Sequence, residues 1–209
     1  MLVAGCDEVG WGCGAGPIVS VIAVLSDKDL ALLPEGVTDS KKLTWKRRES
    51  MFLQLVAACT DIGLGASAPW EIDKFGPKWA LHASYNRALK ELHVIPDLLI
   101  MDGSEHMNRL KAFTGNQIVV EKGDLKHIQV SVASIIAKVI RDESMIDIAK
   151  KRKASGLPDY NWGSNMGYLT ADHVAEITKH GLLLGPTSEN YFHRRIYCRK
   201  LLGRVPVVK

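Results

Sequence analysis

Residues 4–17 read AGCDEVGWGCGAGP and separate two short apolar segments, residues 2–9 and 18–25. The length and apolar character of both segments predict β-strands. The glycines between them are compatible with a sharp bend, and so with antiparallel pairing of the two strands. Two adjacent carboxylates, Asp7 and Glu8, stand at the end of the first segment. Because like charges repel unless a cation or a donor holds them, this stretch predicts a site for charge and close contact.

The rest of the chain alternates helical and strand patterns. Thr170 is a suitable N-cap for one of the helices. Further strands are predicted at 62–68, 97–101 and 117–121, and helices at 45–59, 69–73 with 78–92, 130–151, 170–180 and 188–201. This order predicts an α/β domain with a mixed sheet, followed by a helical C-terminal part.

Composition and charge narrow the class of protein. The chain has 209 residues and a net charge of +4. Its longest strongly apolar run is too short to cross a bilayer, and no basic-then-apolar leader opens it, so we expect a cytoplasmic protein without membrane association. The cysteines lack zinc-ligand spacing. Three separate clusters of Lys and Arg favour a polyanionic partner; they are residues 41–48, 150–153 and 194–200.

Acidic residues follow three of the predicted strands. Asp7 and Glu8 end the first strand, Asp102 ends the fourth, and Asp124 comes just after the fifth. Ligands collect at the carboxyl edge of parallel strands, where these side chains could meet. Magnesium and manganese prefer such oxygen ligands, and two ions about 4 Å apart support phosphodiester hydrolysis. Each aspartate alone is more typical of a surface turn, and a regular strand would point Asp7 and Glu8 to opposite faces.

A dinucleotide site is the rival interpretation of the glycine-rich stretch. Residues 10–15, GWGCGA, match the G-x-G-x-x-G/A pattern that follows a strand in dinucleotide-binding proteins. That pattern must open a helix, whereas here Pro17 and a strand-like segment follow. The context therefore argues against a dinucleotide site.

Several ordered motifs resemble the ribonuclease HII family, the type 2 ribonucleases H, along nearly the whole chain. They are DEVGWGCGAGP at 7–17, DSKKLT at 39–44, EID at 71–73, MDG at 101–103, KGD at 122–124 with SVASIIAKVIRD at 131–142, MGY at 166–168 with His173, and GP at 185–186 with HRR at 193–195. The resemblance implies a ribonuclease H-like mixed five-stranded sheet flanked by helices. It also implies a catalytic domain at 1–155 and a C-terminal helical substrate-binding part at 156–209.

The resemblance also implies the activity and the site. The activity is hydrolysis of the RNA strand of RNA–DNA hybrids, including single ribonucleotides embedded in duplex DNA. The ligands of two Mg²⁺ or Mn²⁺ ions would be Asp7, Glu8, Asp102 and Asp124. Substrate would be bound by Gly10, Trp11, Gly12, Ser40, Lys42, Ser134 and Tyr168. We expect a monomer.

Departures from the family pattern leave alternatives open. Trp11 stands where the family has an arginine, so a cation that could touch phosphate is replaced by an aromatic ring that could stack. A catalytically weak hybrid-binding protein and a nuclease acting on DNA are the competing hypotheses. Asp142 is expected to form a helix-surface ion pair with Arg141 rather than to bind metal. His127, His173 and His193 are expected to be structural.

Overall fold

The computed structural model describes residues 1–38, 40–104, 109–185 and 191–208, without the side chain of Lys41. Contacts between residues divide the chain into two compact units. The first unit contains 1–9, 19–66 and 81–139; the second contains 10–18, 67–80 and 140–209. The predicted division after residue 155 concerns catalytic and substrate-binding roles, and it stays a prediction.

The first unit is built on a five-stranded sheet. Its strands are β1 (Leu2–Val9), β2 (Ile18–Ser26), β3 (Asp61–Ser67), β4 (Leu98–Asp102) and β5 (Asn116–Val120). The order across the sheet is β3-β2-β1-β4-β5. β1 pairs antiparallel with β2, whereas β1 with β4 and β4 with β5 are parallel. The prediction of a mixed five-stranded sheet is confirmed, as is the antiparallel hairpin around the glycine-rich stretch.

The described residues of the chain form eight helices. They are α1 (Asp27–Leu30), α2 (Trp45–Ala58), α3 (Pro69–Phe75), α4 (Pro77–Glu91), α5 (Gly123–Lys126), α6 (Ile128–Ala154), α7 (Trp162–Asn165) and α8 (Ala171–His180). A 3-10 turn occupies Ser40–Lys42, and two short strands, β6 (Leu182–Leu183) and β7 (Val207–Val208), pair near the C-terminus. The Thr170 hydroxyl accepts a hydrogen bond from the His173 N–H, as expected of the N-cap of α8. No helix of the described residues is long and apolar enough to cross a membrane.

The core of the first unit lies around β1 and β2. Eight of the nine residues of β2 are buried, as expected for an apolar strand covered on both faces. β1 is buried from Val3 to Asp7. β1, which carries Asp7, is therefore the central strand of the sheet, and its pairing with β2 on one side and β4 on the other holds it in place.

The predicted C-terminal helix at 188–201 is wrong over the residues that the structure describes. Residues 188–190 lie outside the described residues, and 191–201 form turns and bridges. The first residues of this segment pair with distant segments, and the local bonds that follow, such as Cys198 N–H to the Arg194 carbonyl, form turns rather than a continuous helix. The N–H groups of Phe192 and His193 donate to the Leu183 carbonyl, and the Arg194 N–H donates to the Gly14 carbonyl. Long-range pairing of residues 192–194 thus takes the place of the start of the expected basic helix.

Candidate active site and substrate loop

Three of the four predicted carboxylates interact at the ends of β1 and β4. The parallel register places Cys6 opposite Met101, so Asp7 and Asp102 follow on neighbouring strands. Asp7 is buried, and its Oδ1 accepts a hydrogen bond of 2.8 Å from the Glu8 N–H. Glu8 Oε2 accepts a hydrogen bond of 3.0 Å from the hydroxyl of Tyr85, which α4 carries. The backbone N–H of Glu8 thus holds the Asp7 carboxylate, while the Glu8 carboxylate is held by the Tyr85 hydroxyl.

The electrostatics of this group oppose ionisation. Burial raises the pKa of Asp7 well above its ordinary value, and the neighbouring charges of Glu8 and Asp102 raise it further. Hydrogen bonds from the Ser134 side chain and the Glu8 N–H act in the opposite direction on the same pKa. Burial and the nearby carboxylates also raise the pKa of Tyr85. A cation that binds among these carboxylates would reduce their repulsion and stabilise their ionised forms.

Asp124 is connected to the other carboxylates through its chain neighbour. The Gly123 N–H donates to Asp102 Oδ1 over 2.6 Å, and Asp124 follows at the start of α5 with 6% of its surface exposed. Ser131 donates its hydroxyl hydrogen to the Asp124 carbonyl over 2.7 Å. This bond ties the short α5 to the first turn of α6, so the backbone that presents Asp124 is held from both sides.

The chemistry of the donors fits a divalent cation, because carboxylate oxygens are the ligands that Mg²⁺ and Mn²⁺ prefer. The charges of Glu8 and Asp102 each act on Asp7, and both add to the rise in its pKa that burial causes. Within the described residues, however, no three His, Cys, Asp or Glu side chains form a group that could hold a metal ion. The four-carboxylate ligand set therefore stays a prediction.

Two of the predicted substrate-binding serines are buried, and one of them, Ser134, donates a hydrogen bond to Asp7. Ser40 Oγ and Ser134 Oγ lie 2.9 Å apart, and both side chains are buried. The guanidinium of Arg48, on α2, donates to the carbonyls of Ser40 and Leu43 over 2.8 and 2.6 Å, which fixes the turn. Lys42, on the same turn, is exposed. The sequence placed Arg48 in a cluster facing a polyanion, but the side chain is buried and holds the backbone.

The glycine-rich segment of the second unit is held by two buried arginines. Arg194 donates to the carbonyls of Gly10, Trp11 and Gly16 over 2.6, 3.1 and 2.8 Å. Burial lowers the pKa of Arg194 to about 10. Arg141 donates to the carbonyls of Pro17, Ala15 and Met166 over 3.0, 3.2 and 2.8 Å. The expected surface location of Arg141 and Asp142 is wrong, because both residues are buried, and the Arg141 guanidinium donates to these carbonyls.

This clamp sets the direction of the peptide groups. With the Gly10 and Trp11 carbonyls turned to Arg194, the N–H groups of Trp11 and Gly12 point the other way, since N–H and C=O of one trans peptide are opposed. Neither N–H donates to a backbone carbonyl of the described residues. Gly12 is exposed, its φ is not positive, and a Cβ added to it would meet no atom within 4 Å. The backbone there is open to close approach.

Tyr168 and the two buried histidines belong to the same unit. Tyr168 is 42% exposed, so it is not the packed core aromatic that would be the alternative to a binding role. Its carbonyl lies 2.9 Å from His173 Nδ1. His173 Nε2 accepts from Trp162 Nε1 over 3.0 Å and lies 3.3 Å from His193 Nε2. His193 Nδ1 in turn accepts from the Leu183 N–H over 2.8 Å.

These contacts assign the proton on each ring. His193 Nδ1 accepts, so its proton is on Nε2 and points to His173; His173 Nε2 accepts, so its proton is on Nδ1 and points to the Tyr168 carbonyl. Burial lowers the pKa of both histidines, and for His193 the nearby His173 and Arg152 lower it further. The two rings act as neutral structural groups beneath Tyr168, in line with the expectation for His173 and His193.

A mixed sheet of this order, with interacting carboxylates at the ends of its central parallel strands, defines an α/β enzyme of the ribonuclease H-like fold. Comparison with known proteins gives the family. The family model for ribonuclease HII matches residues 4–200. The ribonuclease HII of Prochlorococcus marinus subsp. pastoris is 41% identical over 198 residues, covering 94% of this chain and 88% of the relative.

Other relatives agree. The ribonuclease HII of Roseobacter denitrificans is 38% identical over 180 residues, covering 86% of this chain and 85% of that protein. The crystal structure of the ribonuclease H2 from Pyrococcus horikoshii OT3 superposes with a TM-score of 0.75 at 30% identity, covering 98% of each chain. The chain belongs to the ribonuclease HII family. It is a metal-dependent endonuclease with ribonuclease H activity on RNA–DNA hybrids.

Proposed function

We propose that this enzyme cuts the RNA strand of hybrids and also cuts at single ribonucleotides embedded in duplex DNA, by two-metal-ion catalysis. The observation that carries the proposal is the buried Asp7 carboxylate, whose pKa is raised by desolvation and by the charges of Glu8 and Asp102. Such a group is stabilised when cations bind between its members. Asp124, presented by α5 just after the Gly123 N–H that binds Asp102, would complete the ligand set.

The ions would be Mg²⁺ or Mn²⁺, held by Asp7, Glu8, Asp102 and Asp124. When bound, they supply an activated water and stabilise the leaving oxygen of the phosphodiester. The protein's own part is to hold these carboxylates. The Glu8 N–H and the Ser134 hydroxyl bind Asp7, and the Tyr85 hydroxyl binds Glu8. Each donor stabilises the ionised form or fixes the direction of the carboxylate that it contacts.

We further propose that the N–H groups of Trp11 and Gly12 read the ribose 2′-hydroxyl, which is the group that distinguishes RNA from DNA at one position. The open backbone at Gly12 and the inward-turned carbonyls support this role. Gly10 supplies the bend, with φ at +96°. Tyr168 would stack against the substrate, and Lys42 would contact phosphate. Ser40 and Ser134, which are buried, would serve the site through Asp7 and through their backbone.

We propose that the enzyme acts as a monomer in the cytoplasm on RNA–DNA hybrids and ribonucleotide-containing DNA. Its cysteines support a reducing compartment, since those described are free thiols: Cys6, Cys13, Cys59 and Cys198.

Cleavage of three duplexes tests the proposal: one with a single ribonucleotide in DNA, one all-RNA hybrid, and one all-DNA. With Mg²⁺ or Mn²⁺ we expect cutting of the first two and none of the third. Asp102→Asn should abolish cutting, whereas Asp27→Asn, which alters a side chain that is 83% exposed, should not. Binding without cutting by the native chain would favour the hybrid-binding alternative, and cutting of all-DNA duplex would favour a DNA nuclease.

A further inference from the structure

A group of three aromatic rings, two of them exposed and one half-buried, lies on α3 and at the start of α4, within the second unit. We call Trp70, Phe75 and Trp79 the aromatic patch. Phe75 and Trp79 are 45% and 43% exposed, with ring centroids 4.3 Å apart, and Trp70 lies 6.4 Å from Phe75. Burying rings of this size is strongly favourable, so three together at a surface mark a place where a partner binds.

The charges on this segment are positive. Lys74 Nζ lies 5.0 Å from the centroid of the Phe75 ring, and Lys78 is exposed on the next turn. The two acidic residues of α3 are used internally. Glu71 accepts from the Ala68 N–H over 2.8 Å, and Asp73 accepts from the Tyr191 hydroxyl over 2.7 Å. The exposed charges beside the rings are therefore those of lysines, which attract a polyanion.

A basic cleft adjoins the same helix. Asp73 also accepts from the backbone N–H groups of Arg195 and Ile196 over 2.7 and 3.0 Å, which ties residues 195–196 to α3. Asp73 lines a cleft of about 180 Å³ together with Arg195, Ile196, Arg199 and Leu202. Both arginines are exposed. Both belong to the basic cluster at 194–200, and the proposed catalytic function gives neither of these two arginines a role.

Aromatic rings with cations near them, as Lys74 lies near the Phe75 ring, form the arrangement that binds single-stranded nucleic acid, because bases stack on the rings while cations follow the phosphates. Bases inside a duplex are stacked on their neighbours, whereas an unpaired base offers a free face to an aromatic ring, so we expect the patch to prefer unpaired nucleotides. We propose that the aromatic patch and the Arg195–Arg199 cleft bind a single-stranded nucleic-acid segment, such as an unpaired strand that flanks a hybrid. This inference concerns residues outside the proposed catalytic site and does not depend on that site.

Fluorescence anisotropy with a labelled single-stranded oligothymidylate of about 15 nucleotides tests the proposal. The native protein should bind it, and Trp79→Ala should weaken binding by about tenfold, the value of one lost base stack. Arg199→Gln should reduce the slope of log affinity against log salt by about 0.7, as expected for one lost phosphate contact on a single strand. The matched controls, Leu53→Ala and Lys28→Gln, also alter exposed side chains and should leave binding unchanged.

Two further measurements separate this proposal from its alternatives. Cleavage of a fully paired hybrid should be the same for Trp79→Ala and the native enzyme, so a failure of the catalytic proposal would not be mistaken for a failure of this one. Unchanged oligothymidylate affinity in Trp79→Ala and Phe75→Ala would overturn the proposal. It would also be overturned by sedimentation showing a dimer that Trp79→Ala dissociates without loss of oligonucleotide binding, because the patch would then be a protein interface.

Discussion

A single methyl group at Gly12 should separate folding from substrate recognition. Gly12→Ala places a Cβ where no atom lies within 4 Å, at a residue whose φ is not positive. The fold has no steric reason to reject it. Replacing glycine by alanine at a compatible position stabilises a protein by about 0.4–1 kcal/mol, through the lower entropy of the unfolded chain. For a chain of this size that corresponds to a rise of about 1–4 °C in Tm.

Activity should respond in the opposite direction. If the N–H groups of Trp11 and Gly12 bind the 2′-hydroxyl, the new methyl stands where the ribose approaches. Displacing a substrate by about 1 Å from its reactive position costs about 100-fold in rate. We therefore expect kcat/KM on a duplex with one ribonucleotide to fall by about 100-fold. The assay is steady-state cleavage, run beside thermal denaturation of the same preparation.

Two other glycines provide the comparison. Gly163→Ala adds a Cβ that would meet the Ala149 Cβ at 3.9 Å, an ordinary van der Waals contact, so both Tm and cleavage should stay near native values. Gly10→Ala should unfold the loop instead, because φ is +96° and the Cβ would lie 2.6 Å from the Pro17 carbonyl and against Arg141. Its cost should be at least about 2 kcal/mol. Native cleavage by a stable Gly12→Ala enzyme would refute close approach of the substrate to this backbone.

Two more perturbations test the second unit. The folded pKa values of His173 and His193 are lowered, so the unfolded chain binds more protons and stability is lost as pH falls below about 6.5. Between pH 6.5 and 5.5 two such histidines cost at most about 2 kcal/mol, and urea denaturation of His193→Gln should show a smaller loss over the same range; an equal loss would contradict the assignment. Trp11→Arg should tighten hybrid binding and steepen its salt dependence, and an unchanged salt slope in a binding titration would mean that residue 11 does not approach phosphate.

The parts of the fold that local patterns encode could be predicted. β2 is a continuous apolar run, and its extent follows from the sequence alone. The same holds for α8, where Thr170 caps a clear amphipathic pattern. The carboxylates at the strand ends were also predictable, since turns after strands are local features. That Asp7 and Asp102 meet at one sheet edge followed from their places at strand ends, but the register between β1 and β4 depends on pairing of remote residues, and no local pattern indicated it.

The residues that sequence reasoning missed are those whose partners are remote. Arg141 bonds to a carbonyl 126 residues away and Arg194 to one 178 residues away, so their neighbours in sequence carry no sign of burial. Arg194 stands in a basic cluster, which is typical of an exposed helix face, and that pattern led to the wrong C-terminal helix. A signal was available in the motifs: both arginines lie in the segments that resemble the family.

The arginine clamp explains how Trp11 can replace the arginine of the family pattern without loss of the loop. Arg194 holds residue 11 through its carbonyl, so the direction of the following N–H does not depend on the side chain. A buried guanidinium satisfied by carbonyls orients several peptide groups at once, because each trans peptide places its N–H opposite its C=O. Recognition of a hydroxyl by such donors is set by backbone geometry. The change at residue 11 should therefore alter the strength and salt dependence of binding more than the preference for ribose.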